Sequence, residues 1–488
     1  MENQDKKPNI IAIIGAIVLL VLAVVGLSYA FFSAFIKNGE TDPSIEGTGA
    51  NLSLVYTDGK SVITSSNIMP GWSATKTFTV TNNGEADTYY KLNISSITNE
   101  FVDGGLTFSI ASADGGTSVA EQAVGTTTRT ISPSITIAEG ATHTYTVTAK
   151  YINLNTDQTP DLGKSFSYTI GIEASQKPTF KDIILANNEV KTPITTPGAA
   201  VSTSSEALLA SAEDDYGTSY YFRGAVTNNY VEFANKCWRI VRIGGDNTVK
   251  LILHNDNISN ASNPCSSANN STTAAFVHYD GNIYKSEFNS NYNDNAYVGF
   301  MYGTPGSTTY EATHANTNKS TILTNLETWY NNNLKTYESV IDNNVFCNDK
   351  SLSSGSGYSA NATDYAARER LYTSKIPSLK CNGELSKITS KIGLITADEL
   401  AFAGYAVRGY ITTSYLKENA TGYSWWSLSP AGFYNKSLSY VFRVRSDNDA
   451  IDICNVNVDS SVRPVISLVS SITISGVSGT SEDPYVVK

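Results

Sequence analysis

Clusters of basic residues are missing from this 488-residue chain: Lys6-Lys7 is its only adjacent pair of basic side chains, and the net charge is −11. Nucleic-acid binding needs a basic face that neutralises phosphates, so no nucleic-acid partner is expected. Charge of either sign is scarce, at 16% of residues, where soluble domains carry about 25%. Cysteine is also scarce. There are five, and none precedes Cys237. No Cys-x-x-Cys or Cys/His spacing points to zinc. Gly-x-Ser-x-Gly, His-Glu-x-x-His and the phosphate-binding loop do not occur, which removes the common routes to hydrolase, metalloprotease and nucleotide chemistry. The four histidines, His143, His254, His278 and His314, carry no partner motif. No enzyme activity, cofactor or metal is expected.

Tyrosine (29 residues), asparagine, serine and threonine take the place of charge. Such a chain hydrogen-bonds through neutral groups, which suits an exported β-rich protein or an adhesive surface.

A long apolar run occurs once, over residues 10–32. At 1.5 Å per residue it can cross a hydrocarbon core of about 30 Å. Lys6 and Lys7 before it keep the N-terminus in the cytoplasm by the positive-inside rule. Its length favours a retained signal anchor. Ser28 and Ala30 supply the small residues of a signal-peptidase site, so a cleaved signal peptide is the alternative. The expected location is the cell membrane, single-pass with the C-terminus extracellular, or secretion if the run is cut.

Beyond a Gly-rich linker, residues 50–175 alternate polar and apolar side chains. Thr75-Lys76-Thr77-Phe78-Thr79-Val80-Thr81, Thr142-His143-Thr144-Tyr145-Thr146-Val147-Thr148 and Lys164-Ser165-Phe166-Ser167-Tyr168-Thr169-Ile170 are the clearest stretches. Strict alternation with Thr, Val, Tyr and Phe means half-buried antiparallel strands, and about seven of them predict a β-sandwich. On this pattern His143 faces polar company. Met69-Pro70-Gly71-Trp72, Thr81-Asn82-Asn83-Gly84, Tyr89-Tyr90-Lys91-Leu92 and Gly163-Lys164-Ser165-Phe166 resemble the TasA/camelysin type of secreted bacterial matrix protein. Ser28-Tyr29-Ala30-Phe31-Phe32 is similar to that family's export signals. The resemblance implies a jelly-roll-like sandwich outside the cell, with self-association into fibres in some members. The camelysin-type protease activity finds no catalytic constellation here.

Residues 176–213 are rich in Pro, Thr, Ser and Ala and read as an extended linker. From residue 214 the aromatics rise and all the cysteines appear. Lys236 to Ile243 reads as a strand pairing with Thr248 to Leu253 across Gly244-Gly245-Asp246-Asn247. Apolar spacing over 320–340 predicts a helix. Thr396, with Glu399 three residues on, predicts a capping box at the start of a second helix. The class is α+β. Trp425-Trp426-Ser427-Leu428-Ser429-Pro430, Val441-Phe442-Arg443-Val444, Val462-Arg463-Pro464-Val465 and Cys237-Trp238-Arg239-Ile240-Val241 resemble a bacterial domain family of unknown function. That family is itself similar to C-type-lectin-like folds, including the formylglycine-generating-enzyme-like fold and the variable proteins of diversity-generating retroelements.

The expected architecture is therefore multidomain. Residues 1–9 form a cytoplasmic N-terminus and 10–35 a transmembrane signal anchor or signal peptide. Residues 36–49 are a linker, 50–175 an all-β jelly-roll-like sandwich and 176–213 a second linker. An α+β C-type-lectin-like domain covers 214–469, and 470–488 form an appended strand and C-terminal tail.

Within 214–469, Cys347 and Cys381 flank polar loops and are a candidate disulfide. Cys237 and Cys454 lie on strands that could neighbour each other, leaving Cys265 over. The alternative is that all five cysteines are free, and sequence alone does not decide. Asp447, Asn448, Asp449 and Asp452 could offer oxygen ligands to calcium, against a plain solvated turn. Trp425, Trp426, Tyr434 and Arg443 are the candidate ligand-binding residues, since Trp, Tyr and Arg anchor binding surfaces. Alternation predicts one of Trp425 and Trp426 buried and the other half exposed. Together these features predict a bacterial surface protein with a lectin-like domain on a β-sandwich stalk, binding a glycan or protein ligand. The alternative is a secreted structural subunit of a matrix or fibre.

Overall fold

A computed structural model describes residues 54–58, 68–102, 104–175, 178–201, 205–408, 413–435, 437–472, 474–475 and 478–487. The apolar run 10–35, the pair Ser28 and Ala30, and the linker 36–49 lie outside the described residues. Among the described residues no helix is long and apolar enough to cross a membrane. The chain divides into two compact units, 1–178 and 179–488.

The first unit is built of strands. They are β1 (Leu54–Asp58), β2 (Trp72–Asn82), β3 (Thr88–Asn99), β4 (Leu106–Ser112), β5 (Val119–Ala123), β6 (Arg129–Ile137), β7 (Thr142–Tyr151) and β8 (Phe166–Ser175). One sheet has the order β1-β2-β7-β4-β5 and the other β6-β3-β8. Every pairing in them is antiparallel. The alternation seen in the sequence sets the faces. Tyr145, Val147 and Tyr151 of β7 point into a core shared with Phe78, Phe108, Tyr90, Leu92 and Ile94, while the intervening threonines face out. Each fully buried side chain of this kind contributes about 1.5–3 kcal/mol. His143 lies on the inward register of Tyr145. It is buried, with Nδ1 2.7 Å from the Tyr90 hydroxyl, so its expected polar setting is corrected to an internal tyrosine cluster.

The second unit begins inside the expected linker. Phe180–Asn187 is a helix, started by a capping box. Thr179 Oγ1 accepts from the Asp182 amide, and Asp182 Oδ2 accepts from the Thr179 amide. Phe180 and Ile184 are fully buried in the main core. The proline- and threonine-rich composition downstream masked the apolar spacing Phe180, Ile183, Ile184 that makes this stretch helical. The strand expected in 470–488 is present and belongs to this unit. Tyr485–Val487 pairs in parallel with β11 (Tyr230–Phe233), and the Tyr485 ring meets Phe180 edge-on at 5.3 Å.

Two large sheets organise this unit. The first contains β9 (Ala207–Asp214), β10 (Gly217–Gly224), β11, β12 (Lys236–Ile243) and β13 (Val249–Asn255), joined by Val465–Leu468 beside β13. The β12–β13 hairpin turns at 244–247, with Asn247 in the left-handed region at φ 67°. The second sheet is centred on Trp425–Tyr434, flanked by Leu438–Val444 and then Ile451–Asn455. The helix Thr321–Asn333 covers the core with Ile322, Leu323, Leu326, Trp329 and Tyr330. It ends short of the expected residue 340, where three asparagines of low helix propensity lead into a 3-10 turn.

Candidate functional site

The four aromatic and arginine candidates do not form one site. Trp425 and Trp426 are both fully buried, which overturns the expectation of one half-exposed ring. Alternation exposes a face only when that face meets water. Here both faces of Trp425–Tyr434 are covered. Trp426 Nε1 donates to Ser286 O at 2.7 Å and its ring meets Phe288 edge-on. Trp425 packs on Tyr405 and beneath the Arg463 guanidinium. Tyr434 ends the strand; Trp425 pairs with Val444 and Tyr434 with Leu438, six residues apart on the partner strand, which puts the two ends about 20 Å apart at ~3.3 Å per residue. It is half-buried, and its hydroxyl donates to Asp364 at 2.6 Å. Arg443 is paired in register with Trp426 and donates to Ser460 at 3.2 Å.

Two disulfides are formed. Cys347 is bonded to Cys381, and Cys237 is bonded to Cys265. The second bond corrects both the Cys237–Cys454 pairing and the all-free alternative. Cys454 lies on Ile451–Asn455 in the other sheet and is a buried free thiol. Burial pushes its pKa up, so it stays protonated and unreactive. The carboxylates considered for calcium are engaged by cations: Asp447 and Asp452 by Arg445, and Asp449 by Lys417. Among the described residues no group of three or more His, Cys, Asp and Glu could hold a metal ion.

The described residues form an open groove of about 630 Å³. One wall is Asn270, Ser271 and Thr272, on the loop that follows Cys265. The other is the 413–421 segment, with Thr413, Ser414, Lys417 and Thr421. Backbone bonds join the walls: Thr421 N donates to Thr272 O at 2.9 Å and Ala275 N to Asn419 O at 3.0 Å. The lining residues bring hydroxyls and amides, one lysine and one carboxylate, set in a surface that is mostly apolar.

That carboxylate, Glu418, is fixed from several sides. Its Oε1 accepts from Asn270 Nδ2 at 2.8 Å. Its Oε2 accepts from the Tyr230 hydroxyl at 2.7 Å and from Arg239 Nη1 at 2.9 Å. Arg239 is fully buried while Glu418 is 40% exposed. The pair therefore presents an oriented carboxylate to solvent from a rigid base. Next to it Asn419 Nδ2 donates to His254 Nε2 at 3.2 Å and to Asn270 Oδ1 at 2.9 Å. Burial, reinforced by the charges of Arg239 and Arg463, drives the His254 pKa well below its ordinary value. His254 is neutral. A second pocket, between Arg242, Lys250 and Cys381, measures about 30 Å³, enough to admit water.

Sequence reading did not single out Glu418, Asn419 or Asn270. Nothing in their local pattern distinguishes them, because their partners lie about 150–190 positions away in the chain. Arg239 and Arg463 stood inside the quoted motifs, yet neither motif indicated that both would be buried close together. No protein-family profile and no curated protein sequence matches this chain.

Proposed function

We propose that this chain is a bacterial surface protein whose second unit binds a polar ligand, a glycan or a peptide, in the groove between 270–272 and 413–421. The observation that carries this reading is Glu418. It is a half-exposed carboxylate locked by Tyr230, Arg239 and Asn270 among neutral hydroxyl and amide groups. Such a lining recognises hydroxyl-rich or amide-rich ligands through oriented hydrogen bonds. The resemblance of the second unit to C-type-lectin-like folds agrees with it. In this reading the TasA/camelysin-like, jelly-roll-like sandwich is a spacer, and 10–35 is a signal anchor with the C-terminus extracellular. Two disulfides suit an oxidising compartment.

The test uses the full chain on glycan and protein arrays, beside a Thr272→Trp variant that fills the groove from an exposed position. Binding by the native chain that falls at least tenfold in the variant supports the reading. A native chain that binds nothing on either array, or a variant that binds equally well, sinks it.

One observation favours a second reading, a secreted matrix or fibre subunit. Strand β8 is ten residues long and forms an outer edge of its sheet. Among the described residues that edge has no partner strand, and an edge of that length is a template for strand addition. In that case the mature chain, starting near Phe31 after signal-peptidase cleavage at Ala30, would sediment as polymer.

A further inference from the structure

Under the groove the fold leaves a set of buried polar atoms unpaired. Arg463 is fully buried. Its Nε donates to Leu253 O at 2.8 Å and its Nη1 to Leu416 O at 2.6 Å. Its Nη2 has no partner among the described residues. The neighbouring acids are already engaged. Glu418 pairs with Arg239, Glu399 with Arg242 and Lys250, and Asp449 with Lys417.

Four further donors are buried without a partner among the described residues: Trp425 Nε1, the Tyr405 and Tyr415 hydroxyls, and His254 Nδ1. His254 Nε2 accepts from Asn419, which leaves the ring proton on Nδ1. All four belong to residues gathered about Arg463. Its guanidinium lies 5.1 Å from the Trp425 ring centre, and Tyr405 meets that ring edge-on at 6.5 Å. The Arg463 charge is felt by Tyr405, Tyr415 and His254.

The chemistry of this set is one-sided. It holds one unmatched positive charge and five donors. Apart from the lone pairs of the two hydroxyls, it offers no free acceptor. A water molecule can accept two of these bonds and donate to the two hydroxyl oxygens, but it leaves the guanidinium charge unmatched. An anion accepts from every donor and neutralises the guanidinium. A buried, unpaired charge is among the costliest features a fold can carry. Donors on residues gathered about a buried cation answer that cost when a negative ligand completes them.

We propose that Arg463, Trp425, Tyr405, Tyr415 and His254 bind a small monovalent anion of halide size. The site is distinct from the groove, and it stands whether or not the groove has a ligand. The two are mechanically linked. Arg463 holds the backbone of Leu416 and His254 holds Asn419, so the bound anion would brace the 413–421 wall.

The test uses the full chain in detergent. Thermal unfolding is followed by tryptophan fluorescence in a Trp72→Phe background, because the other four of the five tryptophans, Trp238, Trp329, Trp425 and Trp426, lie in the second unit. Chloride is titrated against gluconate at constant ionic strength. The expected result is a melting midpoint that rises with chloride and saturates. In Tyr405→Phe and Tyr415→Phe about tenfold more chloride should be needed for half the rise. Crystals grown in bromide should show an anomalous peak within hydrogen-bond reach of Trp425 Nε1 and Arg463 Nη2. Identical melting of the native chain in the two salts, or a bromide-grown crystal with no peak at these donors, overturns the proposal. Neither of those readouts depends on the variants folding.

Discussion

Glu399 and Lys250 meet at 2.7 Å inside the second unit, and Arg242 joins them at 2.9 Å. Burial alone would raise the Glu399 pKa, but the two cations reverse that and hold it at about 2. Lys350 is the contrasting case. It is fully buried, donates to His314 O and to Asn316 Oδ1, and has no carboxylate partner among the described residues. Burial lowers its pKa to about 7, whereas the unfolded chain keeps that proton up to about 10.4. Between those values the unfolded state binds more protons, so stability rises with pH through that window. Urea unfolding of the native chain and of Lys350→Met at pH 7 and pH 9.5 should show the native chain gaining on the variant by a few kcal/mol. An unchanged difference between the two would contradict the assignment. None of this was legible in the sequence. Lys350 stands in Asn348-Asp349-Lys350, a stretch that reads as a polar loop. The partners of Glu399 lie 149 and 157 residues away, a separation at which local pattern carries no information.

At the level of elements, legibility followed the solvent. Strands β2, β7 and β8 were readable because one face of each meets water, which stamps a period of two on the sequence. The β12–β13 hairpin and the Thr396/Glu399 capping box were readable because turns and caps are local chemistry. Trp425–Tyr434 was misread because both of its faces are buried. The helix Phe180–Asn187 was misread because its composition is diluted by the prolines that follow. That helix supplies a sharp check. Phe180 is fully buried against Tyr485 and the first sheet, so Phe180→Ala should cost about 3–5 kcal/mol. The loss should appear in the tryptophan-monitored unfolding of the second unit. A cost below 1 kcal/mol would return the segment to the status of a linker.

The whole molecule divides its stability between two differently built units. The first contains no cysteine and rests on a core between two sheets. The second carries both disulfides, which join residues 28 and 34 positions apart. By loop-closure entropy each contributes about 3–4 kcal/mol. The Cys237–Cys265 bond also lies under the groove. Cys237 and Cys265 pack with Tyr230, and Tyr230 holds Glu418. Reduction should therefore act on one unit alone. Calorimetry of the full chain should show two transitions, and dithiothreitol should lower only the one that tryptophan fluorescence assigns to the second unit. For a unit of this size a loss of that order corresponds to a fall of roughly 10 °C. The first transition should keep its temperature, because no bond in that unit is reducible. If both transitions moved together, the units would share a cooperative core, contrary to their separate contact networks. If neither moved, the two bonds would be dispensable, and the groove would owe its shape to the Arg239–Glu418 pair and the sheet beneath it.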